Sequence, residues 1–213
     1  MEYIDGKVGT DALIQVNDSD KSIIMKQAGL NLRRIHDIKA IPNSWKNKKV
    51  EIRNYDDWRK WTKKRIRKYL RFCLEHFDKI MYEKIQSRLM NLEKQLNSKD
   101  REIVPLHWDY HLGNVIFDSN YKIITTLDFC CAMPGDLYAD IGQTLYWQLI
   151  KIKTKNHFDD FLYGYKKSYS KTEIALIENY YLLHLLAVTR STWDKQELAW
   201  LKEMHLTLLG EIE

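Results

Sequence analysis

The segment Leu106–Phe129, L-H-W-D-Y-H-L-G-N-V-I-F-D-S-N-Y-K-I-I-T-T-L-D-F, decides how this chain is read. Asp109 and Asn114 stand five residues apart in an H-x-D-x-x-x-x-N arrangement, and Asp128 follows fourteen residues after Asn114. Between them lie two short apolar runs, Val115–Phe117 and Ile123–Leu127, separated by Asp118-Ser119-Asn120. Apolar runs of this length around a turn-forming cluster predict a tight hairpin. A hairpin of this size carries the chain out from Asn114 and back, so Asp128 is expected to return close to Asn114.

Those three side chains suit a nucleotide–Mg²⁺ site. Mg²⁺ takes oxygen ligands and keeps part of its water, so one carboxylate and one amide oxygen, with phosphates, can hold it. A second carboxylate beside it can accept the proton of an attacking hydroxyl. Protein kinases use this layout, with H-R-D-x-x-x-x-N followed by a metal-binding Asp before Phe-Gly. Here Trp108 follows His107 and Cys130 follows Asp128-Phe129, which points away from protein kinases.

The run H-W-D-Y-H-L-G-N-V, then L-D-F and P-G-D-L-Y-A-D-I, resembles the aminoglycoside phosphotransferase and choline kinase-like family of small-molecule kinases. The resemblance implies an α+β, mostly helical fold: the C-terminal lobe of the kinase-like fold, with a short catalytic hairpin. It implies ATP, or another nucleoside triphosphate, and Mg²⁺ as cofactors, and a small-molecule hydroxyl as acceptor. Asp109 would be the catalytic base, and Asn114 and Asp128 the metal ligands. Glu2, Tyr3 and Ile4 would form the hinge whose backbone meets the adenine. Asp140 would be a buried carboxylate that caps the backbone of the catalytic loop; from its position alone it reads as a helix N-cap.

If Glu2–Ile4 is the hinge, residues 1–213 are expected to form one lobe only, with the N-terminal nucleotide lobe, its glycine-rich loop and its lysine absent. No G-x-G-x-x-G occurs in the sequence. Such a chain is expected to be impaired alone and to self-associate through the surface that the other lobe would cover. Two other readings compete. One is a non-catalytic remnant or interaction module of the same fold. The other is an anion or nucleic-acid binder using a basic stretch, since Trp45–Arg71 holds twelve Lys or Arg against Glu51, Asp56 and Asp57. No nucleic-acid motif accompanies that stretch, and its charge argues against a polycationic acceptor. A zinc site from His107, Asp109 and His111 would need a helix for the two histidines, and Leu112-Gly113 argues against one.

Composition sets bounds. The chain has 213 residues, 45% of them apolar, and a net charge of +5, enough for a sizeable core. Cys73, Cys130 and Cys131 are too few for a disulfide framework and read as reduced core thiols of a cytoplasmic protein. No apolar run approaches the roughly 20 residues of a membrane span, and the first residues lack signal-peptide character. Helices are expected over Asp18–Asp37, Tyr55–Phe77, Asp78–Leu96, Asp140–Ile150, Phe158–Tyr169, Lys171–Arg190 and Asp194–Leu209. Pro134-Gly135-Asp136 reads as a turn.

Overall fold

Side-chain caps set the starts of the long helices. Asn17 accepts the Asp20 N–H at 3.0 Å and starts α2 (Asp18–His36), while α1 (Gly9–Ile14) precedes it. Asn54 accepts the Asp57 N–H at 3.0 Å to start α3 (Tyr55–His76), and Asp78 accepts the Met81 N–H at 2.9 Å to start α4 (Lys79–Gln95). A reciprocal Ser170–Glu173 capping box opens α7 (Lys171–Thr192). Each such cap satisfies a backbone donor that the first turn leaves open. Helices α5 (Leu137–Ile150) and α6 (Phe158–Tyr165) complete the helical part of this computed structural model, which describes residues 4–39, 51–98, 101–150 and 157–193. The expected helix Asp194–Leu209 and hinge positions Glu2 and Tyr3 lie outside the described residues.

The strands are short. β1 (Lys7–Val8), β3 (Val115–Phe117) and β4 (Ile123–Thr126) form an antiparallel sheet in the order β1-β3-β4, with a bulge between Ile116 and Phe117. The β3–β4 turn is built by Asp118, whose carboxylate accepts the Asn120 and Lys122 N–H groups at 2.8 and 2.9 Å. β2 (Val104–Leu106) pairs antiparallel with β5 (Met133–Gly135).

Several expectations need correction here. β1 at Lys7–Val8, whose backbone pairs with Ile116 and Phe117, is not among the expected elements. Pro134-Gly135 belongs to β5, not to a turn. Pro134 stands opposite Pro105 in a two-stranded ladder, where a missing N–H is tolerated. Helix α5 starts at Leu137, so Asp140 lies inside its first turn, and Asp136 takes the capping role by accepting the Tyr138 N–H at 3.1 Å. Helix α6 stops at Tyr165, four residues early.

Two apolar cores flank α5 and α7. One joins α2, α5, α6 and the hairpin around Tyr110, Leu112, Val115 and Phe117. The other joins α3, α4 and α7 around Trp58, Ile66, Ile85 and Leu89. Between the cores' outer elements, α2 and α6 cross at Gly29 and Gly164. A Cβ on Gly29 would collide with the Phe161 carbonyl, and one on Gly164 with the Lys26 carbonyl. Gly29→Ala is therefore expected to destabilise the protein by about 1–3 kcal/mol, because the obstacle is backbone and cannot rotate away. Urea unfolding measures this, and an unchanged midpoint would show that the two helices can separate freely.

Candidate active site

One turn of α5 grips the backbone of the loop His107–Tyr110. Asp140 is fully buried, and its Oδ2 accepts the His107 N–H at 2.8 Å while Oδ1 accepts the Trp108 N–H at 3.0 Å. Gln143 Nε2 donates to the Trp108 carbonyl at 2.8 Å, and Thr144 Oγ1 to the Tyr110 carbonyl at 3.1 Å. Residues 140, 143 and 144 share one helix face, so both the donors and the acceptors of the loop are met by a single rigid element. His36 extends the brace, its Nε2 lying 3.1 Å from Asp140 Oδ2 and its Nδ1 2.7 Å from the Tyr165 hydroxyl. The Tyr110 hydroxyl donates to the Ala28 carbonyl at 2.8 Å, and Asn31 Nδ2 reaches both that hydroxyl and Thr126 Oγ1.

The hairpin is tied to the same loop. The Leu127 N–H donates to the Asn114 carbonyl at 2.7 Å, and His107 Nε2 donates to the Leu127 carbonyl at 2.8 Å. The chain therefore reaches Asp128 beside both His107 and Asn114. Asn114 Nδ2 donates to the Asp109 carbonyl at 3.0 Å, which fixes the amide and leaves its Oδ1 available. Asp109 is 29% exposed, and its Oδ2 lies 4.0 Å from His111 Nε2. The sequence-derived residues Asp109, Asn114 and Asp128 thus come together on one backbone unit, while Ile4 is exposed and outside any strand or helix.

The electrostatics follow from these contacts. Hydrogen bonds from Cys130 hold the Asp128 carboxyl below its ordinary range, with His107 and His111 adding to the effect. Burial pushes His111 down, partly offset by Asp109. His111 Nδ1 accepts the Gly113 N–H at 3.0 Å, and its ring packs 4.6 Å from Trp147. Both histidines of the loop are therefore engaged with backbone, and among the described residues no cluster of three His, Cys, Asp or Glu side chains is arranged to hold a metal. The zinc reading has no support. The oxygen set of Asn114 Oδ1 and an ionised, exposed Asp128 fits a hard cation such as Mg²⁺.

Trp108 and Asp128 both take the left-handed conformation, at φ 60° and 59°. For non-glycine residues this is disfavoured and persists where surroundings fix it. At Trp108 it accompanies an indole packed against Trp58 and Trp61, at 5.8 and 5.7 Å. At Asp128 it starts a short 3₁₀ turn, Phe129–Cys131, that leaves Cys130 and Cys131 exposed. Those two are therefore surface thiols, contrary to the expectation of core cysteines. Only Cys73 is buried, and burial pushes its thiol up to about 12.

A mostly helical chain with this loop and hairpin has the fold of the kinase-like phosphotransferases. The chain belongs to the phosphotransferase enzyme family, whose sequence profile matches residues 1–174. No curated protein matches it. Among solved structures, a choline/ethanolamine kinase family protein from Mesorhizobium loti is 14% identical, covers 98% of this chain and superposes with a TM-score of 0.64. A thermostable mutant of aminoglycoside phosphotransferase APH(4)-Ia is 13% identical with a TM-score of 0.66, and APH(2")-IIIa in complex with GDP and kanamycin is 15% identical with a TM-score of 0.65, each over 98% of this chain. The chain spans 65% of the first of these proteins, 70% of the second and 68% of the third.

Proposed function

We propose that this chain carries the acceptor and metal side of a nucleoside-triphosphate-dependent phosphotransferase acting on a hydroxyl of a small molecule. The observation that carries the reading is the joining of Asp109, Asn114 and Asp128 through the bonds Asn114 Nδ2–Asp109 O and Leu127 N–Asn114 O. Family membership and the nucleotide in similar structures, GDP in one and ADP in another, support it. Asp109 orients the acceptor hydroxyl and takes its proton. Asn114 Oδ1 and Asp128 are the groups that would hold Mg²⁺, which would supply positive charge to offset that of the phosphates. The α5 grip keeps these groups from shifting, and positioning supplies most of the rate in such reactions. Ile4 is proposed as a hinge position together with Glu2 and Tyr3.

Paramagnetic broadening tests the site directly. Titrating an ATP analogue with Mn²⁺ in place of Mg²⁺ is expected to broaden the side-chain amide signals of Asn114 first, and Asp128→Ala is expected to abolish the effect. Broadening elsewhere, or indifference to Asp128→Ala, would refute the assignment. The same protein is expected to bind kanamycin-like polycations poorly, because the Lys- and Arg-rich α3 opposes their approach. Micromolar affinity at low salt would contradict that part of the reading.

A further inference from the structure

A cavity of about 700 Å³ lies away from the Asp109 loop, between the C-terminal halves of α3 and α7. Lys64, Arg67, Lys68 and Arg71 of α3 and Arg190 of α7 line it, and Glu75 is its one carboxylate. Its aromatic side is a packed group in which Trp193 lies 5.1 Å from Phe72 and 4.7 Å from His76.

Charge pairing divides the basic stretch in two. Near its start the cations have acids: Arg53 meets Asp57 at 3.3 Å, Arg59 meets Asp56 at 2.9 Å, and Lys63 meets Glu93 at 3.4 Å. Arg65 lies over aromatic rings, 4.6 Å from the Trp61 centroid and 5.5 Å from that of Trp108. The five cations of the cavity have no carboxylate within ion-pairing distance among the described residues. Lys64 and Lys68, like Arg67 and Arg71, are spaced four apart, where like charges destabilise a helix. A solvated helix face also carries charges at this spacing, but these border a cavity together with Arg190 of another helix. Here the unpaired ones converge on one concavity with arginine forks, which match phosphate oxygens.

We propose that this cavity binds a compact, multiply phosphorylated small molecule, at a site separate from the Asp109 loop. A small ligand is favoured over a nucleic-acid strand because the unpaired cations close around a volume of small-ligand size rather than continuing as a track. The cations contact the phosphates and the aromatic side borders the remainder of the ligand. The inference does not depend on the phosphotransferase reading.

Calorimetric titration with inorganic tripolyphosphate, at low salt and with EDTA present to silence any cation-dependent site, tests it. Micromolar binding is expected, weakened at least about tenfold by Arg67→Glu with Arg71→Glu and unchanged by Lys79→Glu with Lys122→Glu, which removes the same charge elsewhere. If the first pair fails to fold, Lys68→Ala with Arg190→Ala serves, with a smaller expected loss. Absence of binding overturns the proposal, as does equal weakening by both charge reversals, which would mean net charge alone. Single-stranded RNA binding more tightly with strand length, and competing with tripolyphosphate, would identify a nucleic-acid surface instead.

Discussion

Asp140→Ala is expected to lower folding stability by at least about 3 kcal/mol, the range seen when one partner of a buried charged network is removed. The carboxylate is fully buried, and its loss leaves the His107 and Trp108 N–H groups and the His36 ring without their acceptor. The left-handed backbone at Trp108 also loses the contact that holds it. Asp109→Asn, on the same loop, is expected to stay within about 0.5 kcal/mol of the parent, since Asp109 is part-exposed and its nearest charged group is 4.0 Å away. Urea unfolding of both variants decides the matter. Equal, small losses would mean that the grip of α5 on the loop is incidental.

The polypeptide of residues 1–213, assayed alone, is expected to show negligible phosphoryl transfer to a panel of hydroxyl acceptors. No G-x-G-x-x-G occurs in residues 1–213, and phosphoryl transfer without a positioned nucleotide is slower by several orders of magnitude. Joining it to a nucleotide lobe of the family is expected to raise the rate, and Asp109→Asn in the joined protein to remove the gain. Next to the site, Ile124 and Leu127 are 45% and 39% exposed, and Ile4 is 40% exposed. Sedimentation is therefore expected to show concentration-dependent self-association, since such apolar surface favours a partner. Robust turnover by residues 1–213 alone, lost in Asp109→Asn, would show that positioning comes from a group within this chain.

The hairpin was legible because its apolar runs and Asp118 turn are local signals, and the helices because caps and apolar periodicity are local too. Helix α3, for example, begins and ends within one residue of expectation. What escaped the sequence depends on distant partners. β2 and β5 are three residues each and exist through pairing across 27 positions, Leu106 with Met133. The roles of Gln143 and Thr144 were encoded as a polar stripe with Asp140 on an otherwise apolar helix, a signal that could have been read. His36, Asn31 and Tyr110 carry no such signal, since their partners lie 79 to 129 residues away. Cys130 and Cys131 misled because cysteine is usually a buried residue, whereas the left-handed turn at Asp128 directs them outward.

The concentration of the loop's supports in Asp140, Gln143 and Thr144 has an evolutionary side. The Asp109 loop depends on α5 and the α2 side of the molecule, whereas α3 meets it through Trp58 and Trp61, edge-on to Trp108, and through Arg65 over the same ring. Sequence drift in α4 and in the rest of α3 can therefore proceed without unseating the loop itself. A lineage built this way can vary α3 and α4 while the loop and its supports stay in place.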